Sequence, residues 1–205
     1  MSRAFYDVAM PKVVDADERR QALADAAARV IAHAGLGGAN LRDVAAEAGL
    51  TTGALTHYFA DKRELLIFTL QASLERRRAS HPRPSTDDAL NDLGVLLDGV
   101  LPISDASRLH WMVTIAFASQ AAGDPELAGV QQDAYRAFRR SVTDLVARGV
   151  AQGRLPAQLD AVTEAEALIA LADGIAVQAL FDPASWPAER QRQHLHRALA
   201  ALRGS

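Results

Sequence analysis

Apolar residues recur every three or four positions along almost the whole chain, and no segment alternates apolar and polar residues over the length of a strand. The first such stripe covers about 17–34, with Leu23 and Ile31 on one face, and a glycine cluster that begins at Gly35 follows it. The pattern predicts an all-α protein whose first helix ends at these glycines.

Two very short helical segments come next, and Gly49 separates them. Thr51 or Thr52 is a suitable start for the second segment, whose Leu55 and Phe59 lie four positions apart on its apolar side. Helices of this length are not stable alone in water. We therefore expect the longer helices on either side to support them.

Asp61 and Glu64 form a capping-box pattern that predicts the start of a long helix, from Lys62 to about Ser80. Two prolines in the following "HPRPS", residues 81–85, end that helix. The break predicts a division into an N-terminal arm (1–15), an N-terminal domain (16–82) and a C-terminal domain (83–205).

Beyond the break the apolar spacing predicts five further helices, for about nine in total. Asp124-Pro125 is typical of a cap and first turn, and Thr163 with Glu166 is a second capping-box pattern. The expected ranges are about 86–101, 104–122, 125–152, 163–181 and 187–203.

Composition narrows the possible functions. The chain has 205 residues of which 49% are hydrophobic, enough to bury a sizeable core. It lacks cysteine, which excludes a thiolate nucleophile and cysteine-ligated metal. No apolar run approaches the length of a membrane span and no signal-peptide pattern occurs, so we expect a cytoplasmic protein without membrane contact.

Net charge is −3, and it is distributed unevenly. Residues 1–83 carry twelve basic and ten acidic side chains, for +2, whereas residues 84–205 carry ten and fifteen, for −5. The N-terminal part is the less acidic one but is not a basic domain. Long-range attraction to phosphate should therefore be modest.

Two short helices joined at a glycine are typical of a helix-turn-helix, whose second helix can enter the DNA major groove. A plain corner of a helical bundle is the alternative. The apolar positions of 40–59 account for its packing, which leaves a set of polar side chains that packing does not explain. These are Arg42, Thr51, Thr52, Thr56, His57 and Tyr58.

The chemistry of these side chains suits DNA. Hydroxyl groups at a helix N-terminus favour phosphate and base-edge contacts. Arg42 could read a guanine with two hydrogen bonds, and Lys62, just beyond the segment, could hold a phosphate. Asn40 can cap the first short helix, with Asp43 three positions on.

The stretch "NLRDVAAEAGLTTGALTHYFADKRELL", Asn40 to Leu66, resembles the DNA-binding module of the tetracycline-repressor-like (TetR) family of bacterial regulators. It has the short helix, the Ala-Gly turn, the Tyr58-Phe59 pair and the Asp61-Lys62 pair of that family. The similarity spans roughly residues 16–76. Within the family, "LTHYF" looks like the BetI-like subgroup, named for betaine biosynthesis.

The resemblance implies roles for individual residues. Asn40 and Arg42 match positions that touch backbone and base, and Thr51, Thr52 and His57 match the recognition helix. Tyr58 and Lys62 match phosphate-contacting positions. Many members have tyrosine where this chain has Thr56, whose hydroxyl reaches less far, so a contact from Thr56 is left open.

The C-terminal body is similar to the same subgroup in Ala106 to Leu127 and in Leu168 to Pro183. That similarity implies a domain that binds a small-molecule effector among its middle helices and pairs through its last two long helices. Candidate pocket residues are His110, Trp111, Met112, Ile115, Phe117, Tyr135, Phe138 and Gln178. The helix around Thr163 to Phe181 is apolar on more than one face, so it either lies wholly inside the body or supplies a subunit interface. Candidate dimer residues are Leu168, Leu171, Ala172, Ile175, Ala179, Leu195, Leu199 and Leu202.

Other polar groups give weaker signals. His194 and His196 lie two apart, so on a helix they point to different sides and cannot easily share a metal. The run Arg76 to Arg78 is interpreted as a solvated helix end. The segment 1–15 could add DNA contacts through Arg3 and Lys12, although a frayed terminus is the simpler interpretation.

No catalytic, cofactor-binding or metal-ligating pattern stands out, which favours a non-enzyme. The sequence predicts a homodimeric DNA-binding regulator, most simply a repressor of a palindromic operator that a small molecule releases. A helical partner-binding or architectural protein, or a small helical enzyme, remains the alternative.

Overall fold

The computed structural model describes residues 16–80 and 87–204. Within these two ranges the chain forms nine α-helices and a short terminal 3-10 turn, with no strand, so the all-α prediction is confirmed. The arm at 1–15 and the break at 81–85 lie outside the described residues. The helices are α1 (Ala16–Gly38), α2 (Leu41–Glu47), α3 (Thr52–Leu55), α4 (Lys62–Ser80), α5 (Ala89–Asp98), α6 (Asp105–Ala121), α7 (Pro125–Ala151), α8 (Ala161–Phe181) and α9 (Ala188–Ala201).

Local signals explain most of these boundaries. Gly35 interrupts α1 at a φ of 67°, where a side chain would be strained, and one further helical turn follows it. Asp124 caps α7 by accepting the N–H of Glu126 and of Leu127, and Pro125 occupies the first turn, as predicted.

Two predicted capping boxes need correction. Helix α8 begins at Ala161 because Asp160 is its cap, which accepts the N–H of Val162 at 3.1 Å; Thr163 therefore lies inside the first turn. At α4 the Asp61 carboxylate does accept the N–H of Glu64 at 2.8 Å, but the Glu64 carboxylate accepts the N–H of Ala60 rather than that of Asp61.

The buried side chains form three clusters. The N-terminal cluster contains residues of all four helices from α1 through α4. It surrounds Leu23, Leu55 and Phe59, which are all at most 1% exposed. Because α2 and α3 are so short, this cluster supplies their stability, and truncating a side chain such as Leu55 to alanine costs about 2–5 kcal/mol. The C-terminal cluster occupies the space between α5 to α9, around Leu93 and Leu195.

The third cluster crosses between the two parts of the chain. It packs Ile31 of α1 and Leu70 of α4 against Val113 and Phe117 of α6 and Leu127 of α7. Helices α1 and α4 therefore belong to the helix-turn-helix support and to the body at once. A displacement of α6 or α7 would therefore displace α4, because close-packed interiors transmit strain.

An ion-pair cluster reinforces the same junction. Arg63, in the first turn of α4, donates to both carboxylate oxygens of Asp124 and to Glu126, at 2.7 Å in the latter case. We name Arg63, Asp124 and Glu126 the junction clasp. The Arg63 guanidinium lowers the pKa of Asp124 to about 2.

None of the helices in the described part of the chain has the length and apolar character needed to cross a membrane.

Candidate DNA-binding surface and effector site

The helix-turn-helix follows from a single left-handed residue. Gly49 has a φ of 68° and ends α2. Its N–H donates to the carbonyl oxygen of Ala46 at 3.0 Å, and the N–H of Leu50 donates to that of Ala45 at 2.8 Å. These two bonds satisfy carbonyls at the end of α2 and reverse the chain toward α3.

Two of the predicted DNA-binding residues also cap these helices. The Asn40 side chain accepts the N–H of Asp43 at 2.9 Å and donates to the Asp43 carboxylate at 2.7 Å. The Thr51 hydroxyl accepts the N–H of Ala54 at 3.2 Å. Both side chains remain exposed, so each can still meet an approaching DNA backbone.

The remaining predicted positions fall into two groups. Arg42, Thr52, Thr56 and His57 are exposed. The hydroxyl of Thr56 donates to the carbonyl oxygen of Gly53 at 2.8 Å, which leaves it only as an acceptor. α3 itself is shorter than the pattern suggested, since regular helix ends at Leu55 and a turn carries the chain to Tyr58.

Tyr58 and Lys62 are half-buried rather than fully exposed. Tyr58 packs against the N-terminal cluster. The Nζ of Lys62 donates to the carbonyl oxygen of Leu36 at 3.2 Å, and an ammonium group has two further donors. That bond ties the start of α4 to the end of α1.

Arg20 is a structural residue of this surface that the sequence pattern did not single out. Its guanidinium donates to the carbonyl oxygen of Tyr58 at 2.6 Å and to the Glu64 carboxylate at 3.0 Å. It also lies over the rings of Phe59 and Phe68, 4.5 and 4.7 Å from their centroids. One side chain of α1 thus holds the turn after α3 and the first turn of α4.

Glu64 completes this arrangement. Its carboxylate receives the N–H of Ala60 and a bond from Arg20, and these two contacts lower the pKa of Glu64. The residues that follow α3 are therefore fixed by a charged pair from two helices. No local sequence signal marks Arg20, because its partners lie 38 and 44 positions away.

In the body, four of the predicted pocket residues belong to α6 and α7 and contact other helices or the core. His110 and Trp111 are buried, Phe138 is half-buried and Tyr135 is 37% exposed. The Trp111 indole donates to the carbonyl oxygen of Val100 at 2.7 Å. The Tyr135 hydroxyl donates to Asp173 of α8 at 3.3 Å, and partial burial with this neighbour raises the pKa of Tyr135 to about 12.

The other four predicted pocket residues do not join them. Phe117 is fully buried in the cluster shared with α1 and α4, where it is a core residue. Met112 is 36% exposed, and Ile115 is half-buried. Gln178 is exposed and donates to the carbonyl oxygen of Gly174 at 3.4 Å along its own helix.

The position of Arg77 differs from the one expected from the sequence. The run Arg76 to Arg78 is not a uniformly solvated helix end. Arg76 pairs with Asp25 of α1, Arg78 is exposed, and Arg77 lies between the rings of Trp111 and Phe138. Consecutive helical residues point about 100° apart, so three neighbours of one type can meet three surroundings.

The predicted dimer residues face the interior of their own subunit. The apolar stripe of α8 and α9 therefore packs into the C-terminal cluster of its own subunit. Six of the residues are at most 6% exposed, namely Leu168, Ala172, Ile175, Ala179, Leu195 and Leu202, while Leu171 and Leu199 are partly buried against the same cluster.

His194 and His196 have separate partners. His194 packs on Trp186, whereas His196 contacts Asp98 at 2.9 Å. Across the described ranges no group of three potential metal ligands is assembled.

The chain has a helix-turn-helix with exposed polar residues, which α1 and α4 support and a helical body follows. This arrangement defines a transcriptional regulator with a DNA-binding module and a second, helical domain. Residues 23–67 match the family described as bacterial regulatory proteins, tetR family. Residues 89–204 match the family described as BetI-type transcriptional repressor, C-terminal. The chain therefore belongs to the TetR family and carries a BetI-type C-terminal domain.

Similarity to individual proteins supports the same family assignment. The chain is 33% identical over 177 residues to the HTH-type transcriptional regulator PksA of Bacillus subtilis strain 168, a match that covers 85% of this chain and 84% of PksA. The crystal structure of a transcriptional regulator from Rhodococcus sp. Rha1 superposes with a TM-score of 0.77 at 29% identity, covering 89% of this chain and 95% of that one.

A regulator from Saccharomonospora viridis, solved in complex with choline, superposes with a TM-score of 0.79 at 24% identity, covering 90% of this chain and 96% of that one. At that identity the likeness shows the fold alone.

Proposed function

We propose that this protein acts in the cytoplasm as a homodimeric repressor that binds a palindromic operator and is released by a small-molecule effector. The exposed polar face of the helix-turn-helix is the observation that carries the proposal. Arg42, Thr52 and His57 have no packing role there, and Arg20 and Glu64 hold the backbone beneath them.

Each side chain has a role that its position supports. Arg42 is the base reader, because it is exposed on α2 and has five donors in a planar fork. Thr51 and Thr52 at the start of α3, and His57 in the turn after it, make the groove contacts, while Asn40, Tyr58 and Lys62 contact phosphates. Thr56 contributes at most an acceptor, because its proton is used within the motif.

The subunits meet through the exposed face of α8. This face carries Ala167, Ala170 and Gly174, which are all exposed, and ends at Phe181, which is 78% exposed. A Cβ atom added at Gly174 would meet no atom of its own subunit within 4 Å. Small residues permit close approach of two helices, and a solvated phenylalanine is stabilised by burial against a partner.

Effector binding is coupled to DNA binding through α4. That helix starts beside the recognition turn, contacts α6 and α7 through the shared cluster, and is held by the junction clasp. A ligand that separates α4 from α6 would change the tilt of the helix-turn-helix. In a dimer, two tilted modules would no longer fit successive major grooves.

The effector lies among α4, α6, α7 and α8, where Arg77 lies over the rings of Trp111 and Phe138 and Tyr135 is bonded to Asp173. Choline, which occupies the relative from Saccharomonospora viridis, is one candidate to assay.

Footprinting of the DNA that flanks the gene for this protein tests the proposal. Protection of a short inverted repeat is expected, with one module on each half-site. An architectural or partner-binding helical protein would protect no defined sequence. Uniform protection, or none at concentrations where the protein is folded and dimeric, would contradict operator binding.

A further inference from the structure

The guanidinium of Arg77 lies between two aromatic rings inside the C-terminal body. Its Cζ atom is 5.7 Å from the centroid of Trp111 and 5.8 Å from that of Phe138. These residues come from three helices, α4, α6 and α7. The two rings therefore form a site that already contains a positive charge.

This charge lacks an ion-pair partner among the residues that the structure describes. Arg76, one position earlier, pairs with Asp25, but no described carboxylate lies within ion-pairing distance of Arg77. Burial lowers the pKa of Arg77, and the acid that opposes this effect is Asp173, which is hydrogen-bonded to Tyr135. A half-buried guanidinium without an ion-pair partner favours an anionic acceptor from outside the chain.

Three further polar side chains are bonded to one another between α4 and α6. On α4, Ser73 lies one turn before Arg77, and its hydroxyl is 2.9 Å from the Nδ1 of His110. The Nε2 of His110 is 3.3 Å from the hydroxyl of Thr114. These three polar side chains are buried, so they belong to the interior and not to the surface.

Gln131 adds an unused acceptor. It lies one turn before Tyr135 on α7, and its amide donates to the carbonyl oxygen of Thr114 at 3.5 Å. Its Oε1 atom is buried and has no hydrogen-bond partner among the described residues. A ligand with a hydrogen-bond donor that reached this oxygen would satisfy it.

We propose that the effector is an organic carboxylate whose anionic group pairs with Arg77 while its apolar part lies against Trp111 and Phe138. This inference rests on the proposed function and specifies the class of its ligand. A cationic effector at the same rings would have to displace Arg77, because two positive charges would otherwise share one poorly solvated site. The planar fork of Arg77 suits a carboxylate, which can accept two parallel hydrogen bonds.

The position of Arg77 also explains how such a ligand would act. Arg77 and Ser73 lie on α4, the helix that begins beside the recognition turn. A carboxylate that draws the guanidinium away from the rings would shift the end of α4 against α6. A shift of this one helix would thereby transmit the effect of ligand binding in the body to the DNA-binding module.

The test uses the full-length chain with Trp186→Phe, so that Trp111 is the only remaining tryptophan of the two in the sequence. Trp111 emission and operator affinity are measured with sodium acetate, hexanoate and octanoate, with 1-hexanol, and with choline and hexyltrimethylammonium as cations. We expect hexanoate or octanoate to change the emission saturably and to weaken operator binding. The alcohol and the cations should bind at least about tenfold more weakly.

Variants at α4 locate the charge that is responsible. Arg77→Gln should weaken carboxylate binding by about tenfold or more, and Arg77→Lys should retain part of it. Arg78→Gln, one position along and exposed, is the matched control and should bind as the parent does. The Lys variant keeps the test valid if the Gln variant folds poorly.

Three results would overturn the inference: tighter binding of a cation than of every carboxylate, undiminished carboxylate binding by a folded Arg77→Gln, or no response to any carboxylate. Operator binding without ligand is measured first. Its absence would contradict the proposed function itself. Normal operator binding combined with any of the three results would contradict only the class of ligand.

Discussion

The Arg20 guanidinium of α1 donates a hydrogen bond of 2.6 Å to the carbonyl oxygen of Tyr58, the residue that ends the turn after α3. The same guanidinium reaches Glu64 of α4. The orientation of the recognition turn relative to α1 and α4 thus depends on one side chain that need not touch DNA.

Replacing Arg20 with methionine should weaken operator binding by about tenfold or more while the protein remains folded, because the Tyr58 carbonyl and Glu64 lose their shared partner. Arg19→Met, next along α1, removes the same charge without these contacts and is the control. Fluorescence anisotropy with labelled operator measures both, and circular dichroism verifies the fold. Operator affinity equal to that of the parent would show that Arg20 does not position the turn.

Arg42→Ala should cost about 1–3 kcal/mol of operator binding and relax the preference at one base pair of each half-site, because Arg42 is exposed and free to meet a base edge. Arg78→Ala removes a charge far from the motif and controls for bulk electrostatics. Affinity selection from a library randomised across the half-site measures the preference. An unchanged base preference, even with weaker binding, would move Arg42 to a phosphate-contacting role.

Gly174→Glu should leave the subunit folded and prevent dimer formation, because a side chain there meets nothing in its own chain but would place a charge in the proposed face of α8. Glutamate also has a higher helix propensity than glycine. Light scattering on a size-exclusion column measures the mass. Gly129→Glu, also without a neighbouring atom within 4 Å, is the control on α7. A dimer of undiminished stability would place the interface elsewhere.

The junction clasp predicts a pH dependence. The pKa of Asp124 is about 2 in the folded protein, below the ordinary value of about 4 for an unfolded chain. The stabilisation of the folded state by ionised Asp124 is therefore fully present above a pH of about 4, and it is lost as the pH falls toward about 2.

Asp124→Asn keeps a capping oxygen but removes the charge. Its free energy of unfolding should be lower than that of the parent at neutral pH, and the difference should shrink as the pH falls through this window. Urea unfolding at a series of pH values measures the gap. Asp144→Asn, at an exposed position of α7, controls for net charge. A gap that is the same at pH 6 and at pH 2.5 would mean that Arg63 does not stabilise ionised Asp124.

The sequence predicted the features that depend on local chemistry. Gly49 ends α2 because only a residue tolerant of positive φ suits that turn, and Asn40 and Thr51 cap as their types suggest. The roles of Arg42 and of the threonines in DNA binding stay predictions, which the variants above address.

Features that depend on tertiary contacts were not accessible from the sequence. Helix α8 is apolar on more than one face, so the pattern could not tell which side packs inward. Leu168 and Ile175, predicted at a subunit interface, are buried within their own subunit. Arg77 looked like its two neighbours. Only the positions of Trp111 and Phe138 distinguish it.

The central claim is that two copies of the helix-turn-helix bind one operator together. Anisotropy titration of a duplex that carries the protected inverted repeat, against a duplex with one half-site scrambled, tests it most directly. We predict two subunits per intact duplex and a loss of affinity of about tenfold or more on the scrambled one. Equal affinity for both duplexes, or a single subunit on the intact repeat, would contradict the account.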